Sequence, residues 1–518
     1  MNLSALLATN GRKHGDKEAL IDGERRISYR EWNQHADYWA ARLRQMGIER
    51  ADRVAIMMPN CLEFAIMYMA IMRSGAIVVP ISARSAPEDV SYVCEEAECK
   101  GMIVHDQLFA VVAQLPAGRQ LRALIKTGEG RDGWLGMDDG HSDPSNREWK
   151  ALPCDAEVPE FSEDDEVSML FTSGTTGRPK GVLFTHRNVL TVAKMMAIEM
   201  QIDHRSRILQ MMPLSHSAPL HLFFHTGIMV AATQVLAPTF SPELLLALAQ
   251  RERITHFFGA PVAYLLTMKH PDFLHCDLSS AHCWVYGGAP LSKEMAEQIE
   301  RAFGQDKVVC VYGLTEAGPT GTALRHAEYP DKAGSIGRAV LYTEVEVVNE
   351  RGEPVPAGEP GEIRIRSEGT MKGYIHNPEA TAEVVRDGWV YSGDIARVDE
   401  EGFLWVIDRK KDVIISGGVN VYPKEIEQEL ERHPAIQEVA VVGVPHPEWG
   451  ETVKACLVLR EQAAADAGPT DWLAEVRRFL SGKVADYKLP RLVECLTALP
   501  RNASGKVLKH VLREQTEA

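Results

Sequence analysis

Between Leu170 and Gly181 the chain reads Leu-Phe-Thr-Ser-Gly-Thr-Thr-Gly-Arg-Pro-Lys-Gly, and few folds can hold such a stretch. Val167, Met169, Leu170 and Phe171 lead into it as a buried strand. Hydroxyl residues, glycines and two cations then crowd together from Thr172 to Gly181. Glycine lets backbone N–H groups approach an anion with no Cβ in the way. Successive N–H groups can curl into a concavity that holds phosphate oxygens. The hydroxyls, with Arg178 and Lys180, add donors and positive charge. The stretch therefore reads as a phosphate-cradling loop. It departs from the G-x-x-x-x-G-K-[ST] pattern, because Gly174 and Gly177 lie too close together and Lys180 precedes a glycine.

A chain of 518 residues is too long for one core and should divide into domains. A formal net charge of −16 argues against nucleic acid or an anionic membrane as a bulk partner, while leaving room for local positive charge. Residues 208–242 carry no charged side chain, yet Pro213, Pro219 and Pro238 with His216, His221 and His225 interrupt them. They are expected to form buried strand and pocket wall, with no transmembrane segment. No basic, apolar leader opens the sequence, and the nine cysteines form no C-x-x-C pair. Reduced thiols and a cytoplasmic setting follow as expectations.

Strand-like and helical stretches alternate through residues 1–160, which predicts a mostly parallel sheet covered on both faces. Ser28 and Glu31 have capping-box spacing ahead of a helix. Three apolar runs, Ile254–Gly259, Trp284–Pro290 and Val308–Gly313, end in glycine-containing turns. In open α/β sheets the ligand crevice lies beyond the carboxyl ends of the strands, so these turns should converge. From Gly334 to Trp405 valine-rich alternation predicts a small antiparallel unit. The charged run 408–412 reads as an exposed boundary, followed by an α+β tail. The expected fold class is α/β: a large N-terminal domain of doubly wound sheets plus a small antiparallel β unit, residues 1–408, and a smaller mobile α+β C-terminal domain, residues 409–518.

Thr172-Ser173-Gly174-Thr175-Thr176-Gly177-Arg178-Pro179-Lys180-Gly181 resembles the phosphate loop of the adenylate-forming superfamily, which includes acyl- and aryl-CoA synthetases, beetle luciferases and nonribosomal peptide adenylation domains. The rest of the chain extends the resemblance in order. Tyr312-Gly313-Leu314-Thr315-Glu316 is similar to the nucleotide motif, which implies an aromatic ring against adenine, Thr315 on phosphate and Glu316 on Mg²⁺. The resemblance also implies Gly288, Ala289 and Pro290 at the nucleotide site. Asp394 in Tyr391-Ser392-Gly393-Asp394 and Arg409 are implied at the ribose, and Lys411 at the hinge of the small domain. Gly417 and Gly418 resemble the loop that lines the pantetheine tunnel of coenzyme A. Lys506, in Pro500-Arg501-Asn502-Ala503-Ser504-Gly505-Lys506, matches the lysine that bridges carboxylate and α-phosphate. His216 is implied at the carboxylate end of the acyl pocket.

The resemblance thus implies an ATP-dependent acyl-CoA synthetase that uses Mg²⁺ and coenzyme A. Lys506, Glu316, Thr172 and His216 are its catalytic candidates, and a homodimer is compatible with it. An acyl-AMP ligase that loads a carrier protein is the rival reading, and no carrier domain follows Lys506. A non-catalytic nucleotide-binding protein is disfavoured because Glu316, Asp394, Arg409 and Lys506 are all present. No aspartate accompanies His216 of the kind that amino-acid-activating members carry. Leu220, Leu222, Phe223 and Phe224 are expected to wall the pocket and favour a medium- or long-chain aliphatic acid, with an aryl acid as the alternative.

Overall fold

A computed structural model describes residues 2–113, 121–138, 161–172, 178–289, 291–304, 306–460, 471–501 and 507–514. The chain forms two compact units, residues 1–345 with 365–391 and residues 346–364 with 392–518.

The first unit holds two large sheets. The nine-stranded sheet runs, in space, Arg25–Ser28, Glu18–Asp22, Thr233–Leu236, Arg207–Gln210, His256–Gly259, Cys283–Gly287, Val308–Gly313, Gly321–Arg325, Arg338–Ala339. Its six central strands are parallel, and antiparallel strands close both edges. The eight-stranded sheet is parallel from Glu166–Thr172 through Ile77–Ile81 and Arg53–Met57 to Leu135–Gly136. Lys180–Thr185 folds back antiparallel on Glu166–Thr172. The doubly wound expectation therefore holds.

Helix Leu62–Ser74 explains where the core lies. Every one of its residues is buried, and it packs on strands of both sheets. Apart from Glu63, Arg73 and Ser74 it is apolar all round, and such a helix belongs in an interior. Helix Tyr29–Gln45 beside it is amphipathic, and its buried Trp32, Ala36, Trp39, Ala40 and Leu43 recur at helical spacing. Its start is the expected capping box: Glu31 N–H donates to Ser28 Oγ at 3.2 Å, and Ser28 N–H donates to Glu31 Oε2 at 2.6 Å. No helix among the described residues is long and apolar enough to cross a membrane.

The amino ends of the nine-stranded sheet are tied by charge. Buried Glu252 accepts from Arg26 at 2.8 Å, Arg207 at 2.9 Å and Arg251 at 3.0 Å. Glu18, the first residue of its strand, adds Arg26 at 3.2 Å and Arg207 at 3.3 Å.

In the second unit, strands Ile436–His446 and Gly450–Leu459 form a long antiparallel hairpin. Helices Pro423–Leu430 and Trp472–Leu480 pack Ile426, Leu430, Val476 and Leu480 against Val441, Val453 and Leu457. Residues 394–398 pair antiparallel with Leu404–Arg409. The run 408–412 corrects one expectation, because Asp408 and Asp412 are buried. Backbone N–H groups of Arg409 and Lys424 donate to Asp408, each at 2.8 Å, and Arg513 pairs with Asp412 at 2.8 Å. Such partners let a carboxylate leave water.

Candidate active site

The phosphate-loop candidate stands on a defined stem. Thr172 lies opposite Lys180 in the antiparallel register, and a Cβ on Gly181 would fall 2.7 Å from Ile375 Cγ2. Arg178 lies over the Tyr92 ring at 5.2 Å, and Tyr92 OH donates to Pro179 O at 3.0 Å. Ser173, Gly174, Thr175 and Thr176 lie outside the described residues, as do Pro290 and Lys506.

Lys180 Nζ stands 5.0 Å from the centre of the Tyr374 ring, and Tyr374 OH donates to Glu316 Oε1 at 2.7 Å. Tyr374 thus joins the stem to the acidic turn, a role the sequence did not reveal. Burial raises its hydroxyl pKa, and the Glu316 charge and hydrogen bond raise it further, so the phenol stays protonated. Met371 N–H donates to the Glu316 carbonyl at 2.9 Å. Among the described residues Glu316 Oε2 accepts no hydrogen bond, which leaves it for a cation. The described residues hold no cluster of three metal-ligating side chains. A single carboxylate fits Mg²⁺, which takes one or two protein oxygens and fills its shell with phosphate and water.

The three glycine-ending strands do converge. Gly259 pairs with Tyr286, and Gly287 with Val311, so their carboxyl ends are neighbours. Two of these glycines admit no side chain: a Cβ would lie 2.4 Å from Val311 O at Gly287 and 2.1 Å from Pro319 O at Gly313. Gly288 differs, with φ +79 and open space beside it, and with Ala289 it is exposed. Tyr312, Thr315 and Glu316 are half-buried. Thr315 Oγ1 lies 2.8 Å from Ser217 Oγ, which ties the nucleotide motif to the segment after His216.

His216 keeps exposed surface, while the protein crowded around its ring lowers its pKa by desolvation. The following residues, Ala218–Phe224, are π-helical. The expected walls need correction. Leu220 and Phe224 belong to the main core, where Phe224 meets Trp32, Phe64 and Tyr68. Leu222 and Phe223 join a second cluster, with Phe223 stacked on Phe258 at 5.4 Å. Uncharged stretches fill cores as readily as they line pockets, and here the core claims these four.

In the second unit, Asp394 and Arg409 face each other across paired strands, with Arg409 Nε 2.6 Å from Asp394 Oδ1. Asp394 is 5 % exposed and Arg409 remains more open. Lys411 occupies the short 3₁₀ turn Lys410–Asp412, directly after Arg409. Gly417 and Gly418, at φ +59 and +82, form the two-residue turn between Ile414–Ser416 and Val419–Val421. Positive φ at both positions is what a type I′ hairpin turn demands. A Cβ on Gly417 would fall 2.6 Å from the Trp449 ring. Ile415, Val419 and Trp449 are exposed around this turn.

Residues 7–375 match the AMP-binding enzyme family, and residues 425–506 match the AMP-binding enzyme C-terminal domain. A feruloyl-CoA synthase from Amycolatopsis sp is 35% identical over 96% of this chain and 95% of its own length. A long-chain-fatty-acid–CoA ligase from Bacillus subtilis is 33% identical over 99% of this chain and 95% of its own. ATP-bound MatB from Rhodopseudomonas palustris superposes with a TM-score of 0.84 at 28% identity, covering 100% of this chain and 99% of the other. With the converging glycine turns and the Lys180–Tyr374–Glu316 contact, these likenesses place the chain in the AMP-binding enzyme family of adenylate-forming proteins, as an acid–thiol ligase.

Proposed function

We propose that the protein activates a monocarboxylate that bears no second charged group with ATP and then transfers the acyl group to coenzyme A. In the first step a carboxylate oxygen attacks the α-phosphorus; the bond to the bridging oxygen breaks, and pyrophosphate leaves. In the second the thiol sulfur attacks the acyl carbon of the mixed anhydride, its proton goes to solvent, and AMP leaves. Charge on the phosphates is met by Thr172, Ser173, Thr175, Thr176, Lys180 and Lys506. Mg²⁺ on Glu316 would neutralise further phosphate charge. Gly288, Ala289, Pro290, Tyr312 and Gly313 are assigned to the base, and Asp394 with Arg409 to the ribose. Lys411 is the hinge, and Gly417 with Gly418 guide the thiol arm.

One juxtaposition supports adenylate chemistry above all. The stem of the phosphate loop and the Glu316 turn meet through Tyr374, so a cation and a carboxylate stand on two sides of one ring. For the acid, the carrying observation is the absence of charged residues in 208–242, 257–261 and 286–289, even with Leu220, Leu222, Phe223 and Phe224 taken by the cores. A second carboxylate or an ammonium buried there would go unpaired at a cost of several kcal/mol. A medium- or long-chain aliphatic acid fits this chemistry first, and the similarity to a fatty-acid ligase supports it. The similarity to a feruloyl-CoA synthase favours an aryl acid as the second reading.

Pyrophosphate release across straight-chain acids, benzoate, 4-coumarate and malonate tests both. A rise of about threefold per added methylene supports the aliphatic reading. A flat profile with coumarate far ahead supports the aryl one, and a preference for malonate overturns both.

A further inference from the structure

We propose that His221 is a positioning residue for adenylation, holding the turn that carries Glu316 against the strand that leads into the phosphate loop. The proposal rests on the ligase reading above.

The ring of His221 is fully buried, edge-on to Phe184 at 4.6 Å and stacked on His225 at 5.0 Å. Its Nδ1 lies 3.3 Å from the Gly318 carbonyl, and its Nε2 lies 3.5 Å from Ser168 Oγ. A carbonyl only accepts, so Nδ1 carries the proton; in the neutral ring Nε2 then accepts, and the Ser168 hydroxyl donates. Burial lowers the His221 pKa to about 4, so this neutral form is the one present near pH 7.

Both partners lie close to the proposed chemistry. Ser168 and Thr172 are both on strand Glu166–Thr172, and their separation by an even number of residues puts them on one face. Gly318 ends the short turn that contains Thr315 and Glu316. Ser217 holds the start of that turn through Thr315, so residues 217–221 grip it at both ends. From the other side a Cβ on Gly318 would fall 2.3 Å from Gly369 O, and Met371 N–H holds the Glu316 carbonyl. The turn therefore has little room to shift except where His221 stands.

Two features separate this ring from ordinary core filling. A leucine could occupy an apolar site without the desolvation cost of an imidazole. The backbone here is also π-helical over seven residues, a rare form that concentrates at functional sites.

The test compares His221→Leu and His221→Asn in the full chain. Pyrophosphate release is measured against ATP, Mg²⁺ and acid, and thioester formation is measured from supplied acyl-adenylate and coenzyme A. His221→Leu is expected to lower kcat for pyrophosphate release by about 10- to 100-fold. It should raise the Mg²⁺ requirement and leave KM for the acid and the thioester step unchanged. His221→Asn, whose amide N–H can reach the Gly318 carbonyl, should recover most of the loss. Equal losses in both variants, or equal losses in both half-reactions, would reduce His221 to packing and overturn the proposal. If His221→Leu does not fold, Ser168→Ala carries the test: a smaller loss confined to adenylation supports the role, and no loss overturns it. A wild-type protein that releases no pyrophosphate with any acid overturns the ligase reading and the positioning role with it. An active wild type with unaffected variants overturns the positioning role alone.

Discussion

At the amino ends of the nine-stranded sheet, Glu252 gathers Arg26, Arg207 and Arg251 while Glu18 takes two of the same arginines. At the carboxyl ends of three neighbouring strands in the same sheet stand Gly259, Gly287 and Gly313, and residues 257–261, 286–289 and 308–315 around them carry no charge. One end is held by partners that a neighbouring arginine can partly replace. At Gly287 and Gly313 the other is held by backbone in contact with backbone, where a single methyl group has no place to go. Changes at the first end should appear as stability, and changes at the second as rate.

The largest effect expected comes from Lys506→Ala. The carboxyl ends of these three strands carry no cation of their own, and Lys506 is the one proposed for the transferring phosphoryl group. Loss of one preorganised charge-stabilising group should slow pyrophosphate release by about 10²–10³-fold while sparing thioester formation from supplied acyl-adenylate. Normal pyrophosphate release would break the comparison at its functional end.

Gly313→Ala follows. Its Cβ would lie 2.1 Å from Pro319 O, so strand and turn must part. A displacement of about 1 Å at Thr315 and Glu316 should cost about 10²-fold in pyrophosphate release. A near-normal rate would mean that the tight packing of the glycine end is not what sets activity.

Gly417→Ala should act on the other half-reaction. The residue has φ +59 and faces Trp449, so a side chain adds strain and a ring contact. Thioester formation should fall about tenfold with pyrophosphate release unchanged. Losses in both steps would argue against a role confined to the thiol.

Glu252→Gln should leave kcat and KM alone and lower stability by about 1–2 kcal/mol, less than a fully buried pair because its arginines are partly exposed. Burial pushes the Glu252 pKa up, but hydrogen bonds and charge from Arg26, Arg251 and Arg207 outweigh it, and the net shift is downward. A depressed carboxyl pKa stabilises above its unfolded value and loses that contribution as pH falls. Denaturant midpoints of wild type and variant should therefore approach each other below pH 4.5, the ordinary value for the group. A gap that stays constant on acidification would contradict the ion-pair origin.

Local signals carried most of the fold. Glycines that end apolar runs marked the convergent strands, and the Ser28–Glu31 spacing marked a helix start that forms both of its bonds. These features depend on residues a few positions apart. Tyr374 escaped notice because its partner Glu316 is 58 positions away, and nothing next to Tyr374 distinguishes it from a packed aromatic. Leu220 and Phe224 suit a pocket wall in sequence and lie in the core in space, because uncharged sequence looks alike in both. Asp408 and Asp412 were read as exposed because charge in sequence shows no partner; backbone donors and Arg513 supply it in space. Short strands such as Glu18–Asp22 and Gly321–Arg325 gain their identity from the sheet that receives them.

Leu20 pairs with Gln234 inside the nine-stranded sheet, and Tyr374 pairs with Val182 at the edge of the other. A ribosome that adds 5–20 residues each second releases Leu20 roughly 10–40 s before its neighbour has been made. Throughout that interval Leu20 and Ile21 can pair only with the adjacent strand Arg25–Ser28, and their other edge stays open. Such distant pairing slows folding and makes early release from synthesis hazardous. A product terminated before Thr233 would display an unpaired apolar strand edge to every other chain nearby.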